Sequence, residues 1–363
     1  MVGAIAMVLA LIAFVVAHEA GHFFAAKASR MKVTEFFVGF GPRLWSVVRG
    51  ETEYGVKAIP AGGYVRIAGM NPFDEVDPDE EERTYRGKTM SQKLFVVLAG
   101  IAANFLLAFL ILWGIFAVEG RPTPLPTPEV SSVQAGSAAD AAGLEAGDVV
   151  LSIDGVAIDE WDTAAATIQS RPGATVPVVV DRDGATVELS ATLGEQDGQG
   201  FLGIGPVVEL GFTEVGLVES VGLAGTEVWD LTLQSYGFLG RLVTPSTMAE
   251  LVGGIGGGDV SDEVRPVSVV GLWQIGSQTE EIGVVNVLYL MASINVILGA
   301  LNVLPILPLD GGHAAIAVYE RVTGRKANLR ALAPVAVAVV ALFVFIGVLS
   351  LLLDVTNPID LGG

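Results

Sequence analysis

Four long apolar stretches dominate the pattern of the chain. They cover roughly Val2–Ala26, Leu94–Val118, Val284–Leu304 and Leu332–Leu353. Each is close to the length of about 20 residues that a helix needs to cross a bilayer, so the pattern predicts four transmembrane helices. The first stretch has neither a basic leader nor a small-residue cleavage site ahead of its polar residues. We therefore expect it to be retained and not removed as a signal peptide.

Between the second and third apolar stretches, short apolar runs alternate with turn residues. A proline-rich segment, residues 121–128, predicts a linker. The elements predicted after it are a short helix with a turn (138–148), a strand (149–153), a helix (161–169) and a hairpin (176–193) closed around Asp183-Gly184. About 80 residues are enough for one small domain, so we predict a β-rich domain at residues 122–210.

Residues 211–281 give a weaker pattern. Over residues 213–241 the apolar positions recur at mixed spacing. This spacing fits an amphipathic helix lying at a membrane surface and fits equally well a segment packed against the β-rich domain. Gly253–Gly258 predicts a flexible linker and not a phosphate-binding loop, because no Lys-Ser/Thr follows it.

Composition and charge narrow the class of protein and give its orientation. The chain of 363 residues is 52% hydrophobic and has a mean hydropathy of +0.59, which is too apolar for a soluble protein. A net charge of −20 argues against nucleic acid as a partner. Of the 20 basic residues, 11 lie between the first two stretches, four between the last two and five in residues 119–283. Positive residues favour the cytoplasmic side, so we expect residues 119–283 to face outward.

The predicted fold class is therefore an α-helical polytopic membrane protein with about four transmembrane helices and an inserted, extracytoplasmic β-rich domain. The predicted parts are a first half at residues 1–118 with a cytoplasmic hairpin loop at 27–93, the β-rich domain at 122–210, an amphipathic or linker segment at 211–281 and a second half at 282–363. The chain has no cysteine, which excludes both disulfides and a cysteine-bound zinc site.

The first stretch carries the sequence His18-Glu19-Ala20-Gly21-His22. In a helix His18 and His22 share one face, where two imidazoles can bind one zinc ion. Glu19 can then act as the base that takes a proton from water. Two of the three histidines of the chain lie here, and polar groups at membrane depth are costly unless they have a function. The pattern therefore predicts a catalytic zinc site.

A catalytic zinc site needs a third protein ligand. The third stretch ends in Asn302-Val-Leu-Pro-Ile-Leu-Pro-Leu-Asp310-Gly-Gly-His313, where two prolines prevent a regular helix. By the predicted topology, Asp310 and His18 both lie near the cytoplasmic end of their spans. Asp310 is the expected ligand, and His313 remains an alternative on geometry alone.

Two further features are candidates for substrate contacts. Residues 54–70 contain two β-prone runs on either side of Pro60-Ala61-Gly62-Gly63, which predicts a hairpin with an open edge for an extended peptide. Asn104, in the second stretch, is either a link between helices or a group that hydrogen-bonds substrate backbone.

These motifs together resemble the site-2 protease family of intramembrane zinc metalloproteases, in particular its bacterial regulator-of-sigma-E branch. The motifs are H-E-A-G-H, F-V-G-F-G-P, G-G-Y-V-R-I-A-G-M and N-x-x-P-x-x-P-L-D-G-G. The resemblance covers nearly the whole chain except residues 211–265. The β-rich domain resembles a circularly permuted PDZ domain, with the peptide-carboxylate loop at Gly200, Phe201, Leu202, Gly203 and Ile204.

The resemblance implies one zinc ion bound by His18, His22 and Asp310, with Glu19 as general base. It implies that Asn302 steadies the oxyanion or the substrate backbone, and that Gly62, Gly63 and Tyr64 belong to a membrane-reentrant β element that pairs with unwound substrate. Asn104 would contact substrate too, although the segment before it reads Ala99-Gly100-Ile101-Ala102-Ala103, whereas relatives often carry Gly-Pro before this Asn.

The expected function is therefore regulated intramembrane proteolysis in the bacterial cytoplasmic membrane. The expected partners are membrane lipid and pre-trimmed transmembrane proteins such as anti-sigma factors, with signal-peptide remnants as further substrates. A PDZ scaffold without protease activity is the alternative, but it would not need Glu19. Another membrane metalloprotease with a glutamate ligand is disfavoured, because the later spans contain no glutamate.

Overall fold

The computed structural model describes residues 2–71, 74–196, 198–255, 258, 260–261, 264–278 and 283–359. Its helices are α1 (Val2–Ala28), α2 (Met90–Val118), α3 (Ala138–Ala142), α4 (Trp161–Gln169), α5 (Leu217–Leu242), α6 (Pro245–Ile255), α7 (Val269–Ser277), α8 (Val284–Val303), α9 (Asp310–Thr323) and α10 (Leu329–Thr356). A short 3₁₀ helix spans Pro78–Arg83.

The strands lie in the two connections on either side of α2. They are β1 (Val33–Arg49), β2 (Thr52–Ile67), β3 (Arg121–Val133), β4 (Val149–Ile153), β5 (Val156–Ala157), β6 (Thr175–Arg182), β7 (Ala185–Thr192), β8 (Gly194–Gln196), β9 (Gln199–Phe201) and β10 (Ile204–Thr213). The chain divides into two compact units. Unit 1 contains Met1–Val118 and Gly216–Gly363, and unit 2 contains Glu119–Val215.

Among the described residues of unit 1, four helices are long and apolar enough to cross a membrane: Gly3–Ala28, Met90–Val118, Val284–Val303 and Leu329–Thr356. They correspond to the four predicted stretches. Small residues let α1 and α2 approach closely, as is common between membrane helices. A Cβ on Gly21 would lie only 2.4 Å from the carbonyl oxygen of Ala99, so this crossing requires glycine.

The loop after α1 folds into a sheet that differs from the predicted hairpin. Residues 45–49 of β1 pair with 52–56 of β2 across a turn at Gly50-Glu51. Residues 35–38 pair twice, with 53–56 on one side and with 63–66 on the other. The two runs on either side of Pro60–Gly63 therefore do not pair with each other, and the predicted hairpin is wrong.

The cause is the aromatic run Phe36-Phe37-Val38, whose side chains suit a strand and which lies between the two runs. The glycines that follow it, Gly39 and Gly41, adopt positive φ angles of 87° and 82° and bend β1 without ending it. Residues 63–67 consequently form an outer edge, with no strand on their other side within the part of the chain that the structure describes.

Unit 2 contains an antiparallel sheet of order β10-β3-β4-β6-β7, with β5 beside β4. Its core includes Val150, Ile153, Val178, Val180 and Leu202. The β6–β7 hairpin turns at Asp183-Gly184, both at positive φ, as its Asp-Gly sequence predicts. Buried Asp148 accepts two hydrogen bonds from Arg182, and this guanidinium lowers the pKa of the carboxyl.

The predicted proline-rich linker is wrong, because residues 121–128 lie in β3 and pair with β10. Proline has no N–H to donate, which excludes it from most strands. Here the prolines stand at 122, 124, 126 and 128, so every missing N–H falls on the same edge of β3. The residues between them keep their N–H groups for the ladder with β10.

The segment after unit 2 is helical and belongs to unit 1. Helix α5 packs Ala224 and Leu231 against α2 and α8, and Tyr289 donates a hydrogen bond to Glu227. The predicted linker Gly253–Gly258 is partly wrong, because α6 continues to Ile255. Of the remaining residues of that linker, 256 and 257 lie outside the described residues.

We predict that Gly21→Ala lowers the thermal unfolding midpoint of the detergent-solubilised protein, because the added methyl group overlaps the α2 backbone. Overpacking of this kind costs about 1–3 kcal/mol. Gly114→Ala is the matched control, since a Cβ there meets nothing within 4 Å. Equal melting midpoints for the two variants would contradict the close crossing of α1 and α2.

Candidate metal centre

Helix α1 brings His18 and His22 together on its buried face. They lie one turn apart, and their ring centroids are 4.7 Å apart at an interplanar angle of 89°. Each residue is only 7% exposed. The Nε2 atoms of the two rings are 3.2 Å apart, so both can act on one small ion.

Helix α2 contacts both rings at their Nδ1 atoms. The Nδ1 atom of His22 lies 2.8 Å from the carbonyl oxygen of Val96, and Nδ1 of His18 lies 3.2 Å from Nδ2 of Asn104. The His22 ring fills the space beside Gly100, where a Cβ would come within 2.3 Å of Nε2. Contacts of this kind at the distal nitrogen fix the orientation of a ligating histidine.

Asp310 reaches the histidines from the start of α9. The chain between α8 and α9 is irregular, as Pro305 and Pro308 predict. Gly311 then packs against the end of α8, where a Cβ would lie 2.1 Å from the carbonyl oxygen of Val303. This close packing brings Oδ2 of Asp310 to 3.2 Å from Nε2 of His18 and 3.0 Å from Nε2 of His22.

The three atoms form a nearly equilateral triangle whose edges measure 3.0 to 3.2 Å. Tetrahedral zinc with bonds of about 2.0 Å separates its ligand atoms by about 3.3 Å, so the donor set fits this ion. Oδ2 of Asp310 is buried and has no hydrogen bond of proper geometry within the described part of the chain. A buried carboxylate oxygen beside two imidazole nitrogens is satisfied by a cation.

Glu19 lies on the side of α1 that faces the sheet. Its carboxylate lies in the electrostatic environment of both histidines and Asp310, near the backbone of Val65. A Cβ on Gly63 would lie 3.6 Å from Cγ of Glu19, an ordinary contact distance, so β2 lies directly beside the helix at this point. The candidate base therefore lies between the ligand triangle and the outer edge of the sheet.

A groove of about 540 Å³ runs beside this edge. Tyr64–Ile67 form one wall, together with Met70, Asn71 and Asp74. Leu307, Pro308, His313 and one face of α10 form the other. Of the predicted substrate residues, Tyr64 lines the groove directly, while Gly62 adopts a positive φ of 126° next to it. The groove is mainly apolar and open, which suits an extended, apolar peptide.

Two other candidates lie outside the ligand triangle. His313 is outside the ligand triangle, and its ring meets that of Tyr85 at a centroid distance of 6.3 Å. The Nδ2 group of Asn302 donates to the carbonyl oxygen of Leu298, one turn earlier in α8. No hydrogen bond between described residues joins Asn302 to the ligand triangle.

Of the two roles that the sequence leaves open for Asn104, its position fits a link between helices and not a substrate contact. It is 0% exposed and its side chain contacts His18, so it is sealed from the groove by the helices around it. Nδ2 of Asn295, on α8, donates to the backbone oxygen of Asn104 at 2.8 Å. The side chain of Asn104 points along the α1–α2 contact and not toward open space.

The predicted carboxylate loop in unit 2 joins β9 to β10. Leu202 is buried, and its carbonyl oxygen accepts a hydrogen bond from Ala139. Gly203 turns the chain at a φ of 86°, and its carbonyl accepts from Gln134. Strand β10, which begins at Ile204, lies at the edge of its sheet. Gly200 packs tightly against α4, since a Cβ there would lie 2.1 Å from the carbonyl oxygen of Ile168.

Sequence reasoning missed three contributors to the centre. The carbonyl of Val96 and the space beside Gly100 hold His22, and neither has a side-chain signature. Asn295 had a usable signal, because an amide within an apolar span usually has a partner at the same depth. The partner that this signal indicates for Asn295 is Asn104.

Comparison with known proteins places this centre in a family. The sequence matches "Peptidase family M50" over residues 6–346. It is 34% identical to zinc metalloprotease Rip1 of Mycobacterium tuberculosis, covering 99% of this chain and 98% of the relative. It is 32% identical to metalloprotease MmpA of Caulobacter vibrioides (90% and 89%) and 25% identical to zinc metalloprotease RasP of Shouchella clausii (86% and 88%).

Among solved structures, the PDZ domain of the SdrC-like protein from Listeria monocytogenes matches 23% of this chain and 88% of that domain. The identity is 26% and the TM-score is 0.21, which is too low to assign a shared fold. The match to the family profile covers most of the chain and confirms the predicted family. The chain belongs to peptidase family M50, the site-2 protease family of intramembrane zinc metalloproteases.

Proposed function

We propose that the chain hydrolyses peptide bonds inside membrane-spanning segments of proteins whose outer domains have already been removed. The observation that carries this proposal is the buried triangle of His18, His22 and Asp310, with Glu19 between it and an unpaired strand edge. Zinc is the cofactor of the family, and these three residues are the ligands we propose for it.

Each residue has a separate task in this proposal. His18, His22 and Asp310 hold the zinc ion, which when bound supplies the Lewis acidity that activates water and polarises a peptide carbonyl. Glu19 takes the proton from the attacking water and later returns it to the leaving amine. One N–H of the Asn302 amide donates to Leu298, so the second remains to reach a substrate oxygen as the charge on it develops.

The substrate binds as an extended strand along residues 63–67. A transmembrane helix hides its peptide bonds in its own hydrogen bonds, so it must unwind before it can be cut. An unpaired strand edge offers the backbone partners that an unwound segment lacks, which is the basis of recognition by strand addition. Gly62, Gly63 and Tyr64 are the proposed entry to this edge, and the apolar groove beside it accepts the side chains.

The topology we propose follows from the basic residues. With 15 of the 20 basic residues in the two loops on the cytoplasmic side, unit 2 faces outward and the ligand triangle lies near the cytoplasmic surface. We propose a PDZ-like role for unit 2, in which Gly200–Ile204 binds a trimmed chain end. The protein then acts in the bacterial cytoplasmic membrane, with anti-sigma factors as the substrate class and lipid around the spans.

We predict that Glu19→Gln retains zinc but cuts a trimmed anti-sigma-type reporter at least about 100-fold more slowly, since an amide cannot act as the base. Asp310→Asn is expected to lose both zinc and cleavage. Exposed Glu160 in unit 2 provides the control variant Glu160→Gln, which should match the wild type. Metal content and cleavage are measured on the same samples. Cleavage at the wild-type rate by Glu19→Gln would contradict the role of Glu19.

We predict that Ala336→Trp slows cleavage of the membrane reporter by at least about tenfold, because the indole fills the groove and clashes with an extended substrate. Zinc content should be unchanged. Ala338→Trp makes the same change on an exposed face of α10, and it should cleave normally. If the two variants cleave at equal rates, the substrate does not bind in this groove.

A further inference from the structure

The contact between His18 and Asn104 bears on which ring nitrogen of His18 carries the proton. The other ligating histidine has a fixed tautomer, because Nδ1 of His22 faces the carbonyl oxygen of Val96 at 2.8 Å. A carbonyl oxygen can only accept, so His22 carries its proton on Nδ1 and leaves the Nε2 lone pair available. Among the described residues, no backbone carbonyl accepts from Nδ1 of His18. Nδ1 of His18 faces the amide of Asn104 instead.

An amide can serve either tautomer of His18. As the side chain lies here, Nδ2 of Asn104 faces Nδ1 of His18 at 3.2 Å. This arrangement makes Nδ1 the acceptor and puts the imidazole proton on Nε2, where Oδ2 of Asp310 lies 3.2 Å away. That tautomer cannot bind a metal through Nε2, because the proton occupies the lone pair that the metal requires.

The oxygen of the same amide has no partner. Oδ1 of Asn104 is buried and unsatisfied within the described part of the chain, although burying an unpaired polar atom is costly. A rotation of the amide by 180° brings this oxygen to His18 Nδ1. The oxygen then accepts the Nδ1–H bond, and the Nε2 lone pair is free to bind zinc.

We propose that Asn104 is a positioning residue that selects the zinc-binding tautomer of His18 by presenting its side-chain oxygen to Nδ1. The backbone at Asn104 is held at the required depth by the hydrogen bond from Asn295. An amide suits this site because it stabilises the Nε2–H tautomer when Asp310 is the partner and the Nδ1–H tautomer when zinc is. The inference rests on the proposed role of His18 as a ligand.

The first test measures zinc affinity of the full-length protein in detergent by competition with a chromophoric chelator. Asn104→Leu removes the acceptor and should weaken zinc binding by about 10–100-fold, the usual effect of losing such a partner. Asn104→Asp keeps an acceptor and should stay within about threefold of the wild type. Ser350→Ala removes a buried polar side chain whose hydrogen bond goes to Ile346 within α10, and it should bind zinc normally.

Normal zinc binding by Asn104→Leu would overturn the proposal, and so would a loss of affinity in Asn104→Asp as large as in Asn104→Leu. If the wild type itself binds no zinc, the ligand assignment fails and not this inference alone. A second measurement needs no variant and so does not depend on how the variants fold. The chain has three histidines, so ¹⁵N-histidine NMR resolves few rings. In the zinc-loaded wild type, Nδ1 of His18 should carry a proton, and a bare Nδ1 would overturn the proposal.

Discussion

The close crossing of α1 and α2 is the constraint on which the centre depends. Gly21 lets the helices touch through backbone, and Gly100 leaves room for the His22 ring. The same contact brings the carbonyl of Val96 and the amide of Asn104 behind the two histidines. A wider crossing would leave Nδ1 of both imidazoles without a partner at membrane depth, where an unpaired polar group is costly. The packing of α1 against α2 therefore also fixes the orientation of the two histidine ligands.

The sheet of β1 and β2, which lies between α1 and α2 in the sequence, meets a different requirement, the binding of an unwound substrate. Hydrolysis of a membrane-spanning helix needs an exposed peptide bond, and an unwound peptide needs hydrogen-bond partners. The sheet supplies an unpaired edge at residues 63–67, and Glu19 lies near the backbone of that edge at Val65. The candidate base and the proposed binding surface are therefore neighbours.

The sequence alone was sufficient for the spans and the family, because both depend on strong local signals. About 20 apolar residues identify a span, and His18, Glu19 and His22 need only helical spacing to share a site. Pairing between distant segments was harder. The β-runs near Pro60 were correctly predicted as strands, but their partner was the aromatic run of β1, which no local pattern identifies. The prolines of β3 led to the wrong prediction of a linker. Their alternate spacing is compatible with a strand, but this can be recognised only when the partner strand is known.

The same difference between local signals and contacts of distant segments applies to the site. Asp310 was selected over His313 by family resemblance, whereas geometry from sequence left the choice open, since three residues separate them. The partners of the histidines depend on how α2 packs. The sequence therefore leaves Asn104 open between a link between helices and a substrate contact, and only the packing shows that its side chain faces His18. Local chemistry is readable from sequence, while contacts across helices depend on packing.

The central claim is that zinc is bound by two imidazoles and one carboxylate. X-ray absorption at the zinc edge of the purified wild type tests it most directly, because outer-shell scattering counts the imidazole ligands. We expect one zinc per chain, with two imidazoles and oxygen ligands at about 2.0–2.2 Å. A spectrum with three imidazoles would make His313 the third ligand, and a protein that binds no zinc would refute the metal centre altogether.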